Sequence, residues 1–195
     1  MPSDDLEGQT RDAMARNDWP LVALLEPLID AIEETEETER RPPIGLVNAA
    51  LWYASAGLHV FPLLPRSKIP WSRSRGFKDA TTDLDQIRAW WARVPYSNVG
   101  IATGHLVDVI DIDGPVGVQS WASTEPVATL GTVNTPRPGG THLYVPAGGG
   151  GNLAGILPGV DMRGLGGYVV APPSVNDQGR YSWRRPLKRL VRPEG

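Results

Sequence analysis

Cysteine is absent from this sequence of 195 residues. Without it the chain can form no disulfide, hold no zinc through thiolates and use no thiol nucleophile. Also missing is any apolar run near the ~20 residues that a membrane-spanning helix needs, and the N-terminus lacks the basic and then apolar pattern of a secretion signal. We therefore expect a cytoplasmic protein that needs no membrane and no zinc.

Acidic and basic side chains are unevenly distributed along the chain. Residues 1–43 carry 12 acidic against 4 basic side chains, a net charge of −8, whereas residues 44–195 carry 10 against 15, a net charge of +5. Apolar residues make up 41% of the sequence, enough for one sizeable core. A basic body suits a polyanionic partner such as nucleic acid, but an arginine-rich soluble surface has the same composition.

The change of charge coincides with a change of pattern. Residues 1–18 are polar and are expected to be frayed, and apolar residues then recur at helical spacing within residues 19–41, before two prolines stop the helix. We expect an acidic helical extension at residues 1–43 and one folded domain at residues 44–195. The extension would cap that domain or form an oligomer contact, or its acidic end would compete with a polyanion for the basic surface.

The stretch VDVIDIDG, residues 107–114, ends a β-branched run in two aspartates and a glycine. Successive side chains of a strand point to opposite faces, so Asp111 and Asp113 share one face while the isoleucines beside them enter the core on the other. Two like charges this close are relieved by a divalent cation with oxygen ligands. The alternative is that both aspartates begin a turn at Gly114, which explains Asp113 well but Asp111 poorly.

Two later segments carry further candidate groups. Gly139 and Gly140 precede His142 and lead into a strand, where a flexible backbone permits close approach of N–H groups to phosphate oxygens and histidine adds a donor. Asp161 is flanked by apolar residues in a strand-like context, and Arg163 falls on the same face if that strand is regular.

These segments together make a coherent site for two-metal chemistry on a nucleoside triphosphate. Asp111 and Asp113 would bridge two Mg²⁺ or Mn²⁺ ions, with Asp161 as a third ligand. His142 and the backbone near Gly139 would hold the phosphates. Such a site needs little covalent chemistry from the protein, because positioning and charge stabilisation supply most of the rate.

The remaining pattern predicts further helices and strands. Helices are expected at residues 44–56, 82–94 and 117–122, strands at 58–64, 98–103, 107–113, 129–135 and 168–171, and a flexible glycine-rich connector at 147–155. Thr82 is the expected N-cap of the second of these helices. Beyond residue 171 the pattern fits either a last strand with an exposed end or the start of a further segment.

The order of these motifs resembles the bifunctional DNA primase/polymerase (prim-pol) domain of the archaeo-eukaryotic primase superfamily. The resemblance runs from about residue 49 to residue 183. It is carried by GLHVFPL (57–63), KIP (68–70), DATTD (79–83), NVGI (98–101), VIDID (109–113), GGTHLY (139–144), VDMRG (160–164) and GYVVAPPS (167–174).

The resemblance implies an α/β (α+β) fold, with an RRM-like mixed sheet beside a second small α/β unit. It implies a metal-dependent nucleotidyltransferase, a DNA primase or DNA polymerase that acts on a single-stranded DNA template or primer-template in phage, plasmid or mobile-element replication, with a separate helicase as partner. It also implies metal ligation by Asp111, Asp113 and Asp161 and phosphate contact by His142. Lys68 and Arg163 look like further nucleotide or template contacts.

The sequence also departs from the family's pattern. Pro138 stands where members often have serine or threonine before the glycine pair, so one nucleotide-contacting hydroxyl is missing or replaced. Two other classes of protein use the same residues. A metal-dependent nuclease or nucleotide-sugar transferase would employ the same carboxylates, and a non-catalytic DNA-binding module would retain the basic surface without metal dependence.

Overall fold

The computed structural model describes residues 2–16 and 45–187 and the single positions 21, 25 and 28. The chain falls into two compact units, Met1–Arg41 and Pro42–Gly195. Within the described residues, no helix is both long and apolar enough to cross a membrane.

The first unit begins with a helix, α1 (Pro2–Ala15), so the frayed segment expected at residues 1–18 is wrong for most of its length. Leucine, glutamine, arginine, methionine and alanine, all present in α1, are good helix formers. Gln9 donates a 3.0 Å hydrogen bond to the Asp5 carboxylate one turn earlier. Ala13 is buried, so one side of this polar helix is covered.

The amphipathic helix predicted at residues 19–41 falls almost entirely outside the described residues. The positions within it that the structure describes, Leu21, Leu25 and Leu28, are helical. Residues three apart lie on the same side of a helix, but Leu25 is buried whereas Leu28 is 48% exposed, so the predicted apolar face is covered at Leu25 and not at Leu28.

The second unit alternates short helices and strands. In chain order its elements are α2 (Leu46–Ser55), β1 (Val60–Leu63), a 3-10 helix (Gly76–Asp79), α3 (Leu84–Arg93), β2 (Asn98–Ala102), β3 (Val107–Ile112), α4 (Gly114–Trp121), β4 (Gly131–Asn134), β5 (Thr141–Pro146), β6 (Leu153–Leu157), β7 (Val160–Arg163), β8 (Tyr168–Ala171), β9 (Val175–Asn176), β10 (Gly179–Arg180) and β11 (Ser182–Arg185). The predicted strands and the first two predicted helices of this unit are confirmed within two residues at each end, and the helix predicted at 117–122 begins three residues earlier.

Two local predictions were wrong. Helix α3 is capped by Asp83, not Thr82: the Asp83 carboxylate accepts hydrogen bonds from two backbone N–H groups of the first turn, at 2.9 and 3.2 Å. The glycine-rich segment 147–155 is not only a connector, because β6 begins within it and pairs with β7. Beyond residue 171, the alternative of a last strand is confirmed, because β11 pairs with β4 and so extends the large sheet.

The large sheet has six strands in the order β11-β4-β5-β3-β7-β6. Each strand pair assigned within residues 45–187 is antiparallel, so this sheet is not the mixed sheet that was expected. Neighbouring strands such as β4 and β5, or β6 and β7, follow each other through short turns, which reverse the chain direction. Strand β3 lies inside the sheet between β5 and β7.

The two faces of this sheet are used differently. The face that carries Val109 and Tyr144, here called the front face, contributes to the main core. The opposite face, here called the back face, carries Ile110, Ile112 and Val160, which form a second and smaller cluster. The predicted alternation along β3 is therefore confirmed: its isoleucines enter a core on the face opposite Asp111.

A second, three-stranded sheet has the order β1-β2-β8. Its strands share the main core with helices α2 and α3, through buried side chains such as Phe61, Ile101 and Trp91. This arrangement agrees with the small α/β unit expected beside the large sheet. The α+β fold class is confirmed.

Candidate active site

Three of the predicted site residues meet on neighbouring strands of the front face. Asp111 of β3 is paired directly with His142 of β5 on one side and with Asp161 of β7 on the other. Directly paired residues of antiparallel strands lie on the same face with Cβ atoms about 5 Å apart. Strand pairing therefore assembles these side chains, although they are far apart in the sequence.

Asp113 lies one residue beyond β3, at the N-cap position of α4. Its side chain accepts no capping hydrogen bond from the described residues of that helix. Instead its Oδ1 atom lies 3.1 Å from Nη1 of Arg137, and both side chains line the same cleft. The turn alternative therefore explains the position of Asp113 in the chain, where Gly114 follows with a φ of 64°. It does not explain where the carboxylate points.

The guanidinium of Arg163 joins two carboxylates. Its Nη2 atom lies 3.2 Å from Oδ2 of Asp111 and 2.8 Å from Oδ2 of Asp161. The predicted face of Arg163 is thus confirmed, because it reaches the same side of β7 as Asp161. In this arrangement Arg163 supplies the positive charge that two neighbouring carboxylates require.

Both carboxylate oxygens of Asp161 accept hydrogen bonds. Its Oδ1 atom accepts a 2.7 Å hydrogen bond from the backbone N–H of Gly155, and Oδ2 is held by Arg163. Unlike Asp111 and Asp113, it is not among the described residues that line the cleft. Asp161 therefore stands beside Asp111 but behind the arginine that joins them.

His142 is buried, with 5% of its surface exposed. Its Nε2 atom lies 3.5 Å from Oδ1 of Asp111. Burial lowers the pKa of His142, and the positive charge of Arg163 adds to this, whereas Asp111 opposes it. The imidazole is therefore neutral at neutral pH. Its Nδ1 atom is buried and has no hydrogen-bond partner among the described residues.

Two tyrosines beside His142 were missed by sequence reasoning. The ring of Tyr181 lies 5.9 Å from that of His142, centroid to centroid, and it lines the cleft. Tyr144, two residues after His142 on β5, has a buried hydroxyl without a hydrogen-bond partner in the described structure. Burial raises the pKa of both phenols, so both stay neutral. Only the period of β5 could have indicated Tyr144, since alternate residues share a face.

Gly139 and Gly140 form the turn before β5. Gly139 has a φ of 75°, which favours glycine, and a Cβ atom on Gly140 would collide with the side chain of Thr135. The N–H of Gly140 donates a 2.8 Å hydrogen bond to the carbonyl of Arg137. Neither glycine is among the described residues that line the cleft, whereas Thr135 and Arg137 are. Both glycines are therefore explained by the turn, and their contact with phosphate stays a prediction.

The cleft has a volume of about 700 Å³ and is lined by residues of both sheets. Lys68 lies in the loop after β1 and is exposed, and its backbone carbonyl accepts a 3.0 Å hydrogen bond from the Tyr168 hydroxyl. The charged side chains among the described lining residues are four cations, Arg66, Lys68, Arg137 and Arg163, and three carboxylates, Asp111, Asp113 and Asp177. This mixture suits an anionic ligand with bound cations: the basic side chains would face its negative charge and the carboxylates would face its cations.

Residues 50–194, about three quarters of the chain, match the family model described as bifunctional DNA primase/polymerase, N-terminal (Prim-Pol). The chain belongs to this family. Membership implies a nucleotidyltransferase-type enzyme of DNA replication, with primase or polymerase activity. A comparison with curated proteins gave no match.

The candidate ligand atoms of this prim-pol domain are of the chemical type that binds a divalent cation. Asp111 and Asp161 offer hard carboxylate oxygens from paired positions, and Asp113 follows one residue beyond the strand that carries Asp111. The guanidinium between the first two shows that positive charge is stabilised at this point. As they stand, no three histidine, cysteine or acidic side chains within the described ranges are close enough together to hold a metal ion. Arginines balance the carboxylates instead.

Proposed function

We propose that this protein is a metal-dependent nucleotidyltransferase that synthesises nucleic acid on a single-stranded DNA template or primer-template, as a DNA polymerase, a DNA primase or both. The observation that carries this proposal is the register of β3, β5 and β7. It aligns Asp111, His142 and Asp161 on one face, beside a cleft with an excess of cations. Family membership supports the same reaction.

In this proposal Asp111, Asp113 and Asp161 would hold Mg²⁺ or Mn²⁺. When bound, such ions lower the pKa of an attacking 3′-hydroxyl and neutralise the charge of the triphosphate and the departing pyrophosphate. The protein holds the carboxylates in place through the sheet: Asp111 is fixed by pairing on both sides of β3, and it is mostly buried. A fixed position means that little reorganisation is needed during the reaction.

The cations of the cleft would bind the triphosphate. Arg66 and Lys68 lie on the loop after β1, and Arg137 lies on the turn before β5, so the two loops approach the cleft from different elements. The ion pair between Arg137 and Asp113 is about half exposed, and exposed ion pairs are weak. Arg137 can therefore exchange its carboxylate for a phosphate oxygen at low cost.

His142 would position a phosphate group. Its imidazole is held between Asp111 and the ring of Tyr181, and burial keeps it neutral. A neutral imidazole carries a single N–H, so it would donate one hydrogen bond to a phosphate oxygen without adding charge.

One observation favours a second candidate function, a non-catalytic DNA-binding module of a replication complex. Both carboxylates on the front-face strands are already neutralised by Arg163, and no three-ligand group stands ready within the described residues. In such a module the arginine would be a permanent partner of the aspartates. DNA binding would then be independent of metal ions.

The deciding experiment is incorporation of labelled nucleotides on single-stranded DNA, with and without an annealed primer, in Mg²⁺ and in Mn²⁺. The test variant is Asp111→Ala/Asp113→Ala, and the matched control is Asp85→Ala, an exposed aspartate on α3 that lines neither the cleft nor the sheet. We expect synthesis by the natural protein and by the control, and none by the double variant. A separate helicase would supply single-stranded template from duplex DNA.

Each outcome has a defined meaning. Synthesis without a primer makes the protein a primase, and extension of a primer alone makes it a polymerase. Shortening of the template in place of synthesis would make it a nuclease that uses the same carboxylates. Folded protein that binds DNA but incorporates nothing under any of these conditions would favour the binding module.

A further inference from the structure

The back face of the six-stranded sheet carries a second groove that the proposed reaction does not use. This back-face groove has a volume of about 710 Å³. Its lining residues come from α4, from β4 and β5, and from the end of β11. They are Ile112, Val118, Trp121, Ala122, Thr129, Thr132, Thr141, Leu143, Arg184 and Arg185.

A β-bulge brings both arginines to this groove. Trp183 is paired with Val133 and Arg185 with Thr132, so Arg184 and Arg185 together stand opposite a single residue of β4. In a regular strand adjacent side chains would point to opposite faces. Because of the bulge, two guanidiniums line the same groove although they are neighbours in the sequence.

The groove combines three kinds of group. Arg185 donates a 3.2 Å hydrogen bond to the carbonyl of Thr129, which holds one guanidinium beside the groove, and Arg184 is exposed. Trp121 packs against the isoleucine cluster of the back face but keeps part of its surface exposed. Threonine side chains of β4 and β5 supply hydroxyls. No carboxylate is found among the described residues that line it.

We propose that the back-face groove binds single-stranded nucleic acid. Grooves of this class combine cations that follow the phosphate backbone with an aromatic side chain on which an unpaired base stacks. Arg184 and Arg185 would contact phosphates, and Trp121 would accept a base. A duplex suits the groove poorly, because its bases are already stacked on one another.

The groove and the active-site cleft lie on opposite faces of the same sheet, and both reach the segment that forms its edge strand. Tyr181 lines the cleft and Arg185 lines the groove, four residues apart on the chain that forms the edge strand β11. At about 3.3 Å per residue this is a span of about 13 Å. Thr141 and His142 are likewise neighbours that line the groove and the cleft. In this proposal a strand bound in the groove would pass around the edge of the sheet into the cleft. That it is the template rests on the proposed function.

The test is binding of a fluorescently labelled single-stranded oligothymidylate, without metal ion or nucleotide, measured by anisotropy at several salt concentrations. The variants are Arg184→Gln/Arg185→Gln and Trp121→Leu, the second chosen because leucine keeps the apolar packing below the ring. The matched control is Arg88→Gln/Arg93→Gln, two exposed arginines of α3 that line neither the cleft nor the groove.

We expect the double groove variant to reduce the slope of log affinity against log salt by about 1.4, since each phosphate contact to a single strand contributes about 0.7. Trp121→Leu should weaken binding about fivefold or more, as expected for the loss of one stacked base, without changing that slope. The control should leave both quantities unchanged. Thermal unfolding of each variant shows that it is folded.

The proposal is overturned if the groove variants bind the oligonucleotide as tightly as the natural protein does. It is also overturned if the control loses as much affinity as the double groove variant, or if duplex DNA competes for binding as well as a single strand does. Asp111→Asn separates this proposal from the proposed function. It should bind the oligonucleotide normally, so loss of synthesis with intact binding concerns the active site alone. Failure of the groove variants to lose binding, with synthesis intact, would refute the groove alone.

Discussion

The two faces of one sheet are built from the same strands but hold charge in different ways. On the front face, Asp111, His142 and Arg163 lie at the end of a closed core, where burial is strong enough to lower the pKa of the histidine. On the back face, Arg184 and Arg185 are exposed beside a groove. Bond formation gains from groups held rigidly away from water, whereas binding of a long polyanion needs only accessible charge and an aromatic surface.

The largest effect that separates the two faces is expected from Asp111→Asn. This change keeps the shape of the side chain but removes the negative charge on which the bridge to Arg163 and the proposed metal binding depend. Nucleotide incorporation should fall by about two orders of magnitude or more, as for loss of a central electrostatic group. Asp85→Asn is the matched control and should retain full activity. Retention of more than about a tenth of the activity by Asp111→Asn would contradict the role assigned to Asp111.

A second prediction concerns how closely α4 packs on the sheet. A Cβ atom on Gly117 would collide with the backbone carbonyl of Gly159, and backbone cannot move aside easily. Gly117→Ala should therefore lower the free energy of unfolding by about 1–3 kcal/mol, the usual cost of overpacking. At Gly150 a Cβ atom would meet no described atom within 4 Å. Gly150→Ala should therefore change the free energy of unfolding by less than about 0.5 kcal/mol. Urea unfolding of both variants measures the difference, and equal stability would refute this packing.

Arg163→Gln tests whether the arginine is a counter-charge of the active site. Without the guanidinium, Asp111 and Asp161 lie side by side without compensation. Because the arginine is partly exposed, we expect a loss of only about 1–2 kcal/mol, or about 2–8 °C in Tm. Added Mn²⁺ should raise the Tm of Arg163→Gln more than that of the natural protein, because it replaces the missing charge. The Tm of Arg163→Lys should lie between that of Arg163→Gln and that of the natural protein. An unchanged Tm with an unchanged Mn²⁺ response would count against this role.

The smallest effect is expected at the rim of the back-face groove. Val118 is 46% exposed, so Val118→Ser should change the free energy of unfolding by less than about 0.5 kcal/mol. Ile110→Ala, on the same face but 3% exposed, should cost about 2–4 kcal/mol because it leaves a cavity under α4. Chemical denaturation of the two variants defines where the back-face core ends. Comparable losses would mean that the groove is part of that core.

Much of the candidate site could be predicted from local patterns. The period of β3 predicted that Asp111 faces away from the isoleucines beside it, and the residues of β7 predicted a shared face for Asp161 and Arg163. The partners of these side chains could not be predicted in the same way. That one guanidinium joins Asp111 to Asp161, and another contacts Asp113, depends on side chains brought together from distant segments.

The sequence by itself determined the spacing of the aspartates, the positions of most strands and helices, the basic character of residues 44–195 and the family. These properties are local, or they lie in the order of motifs along the chain. Only the tertiary structure decided which carboxylates meet, that Tyr144 and Tyr181 adjoin His142, and that a bulge aims two arginines at one groove. The physical reason is strand register, which is set by burial of whole faces and which, if shifted by one residue, turns every side chain to the other side.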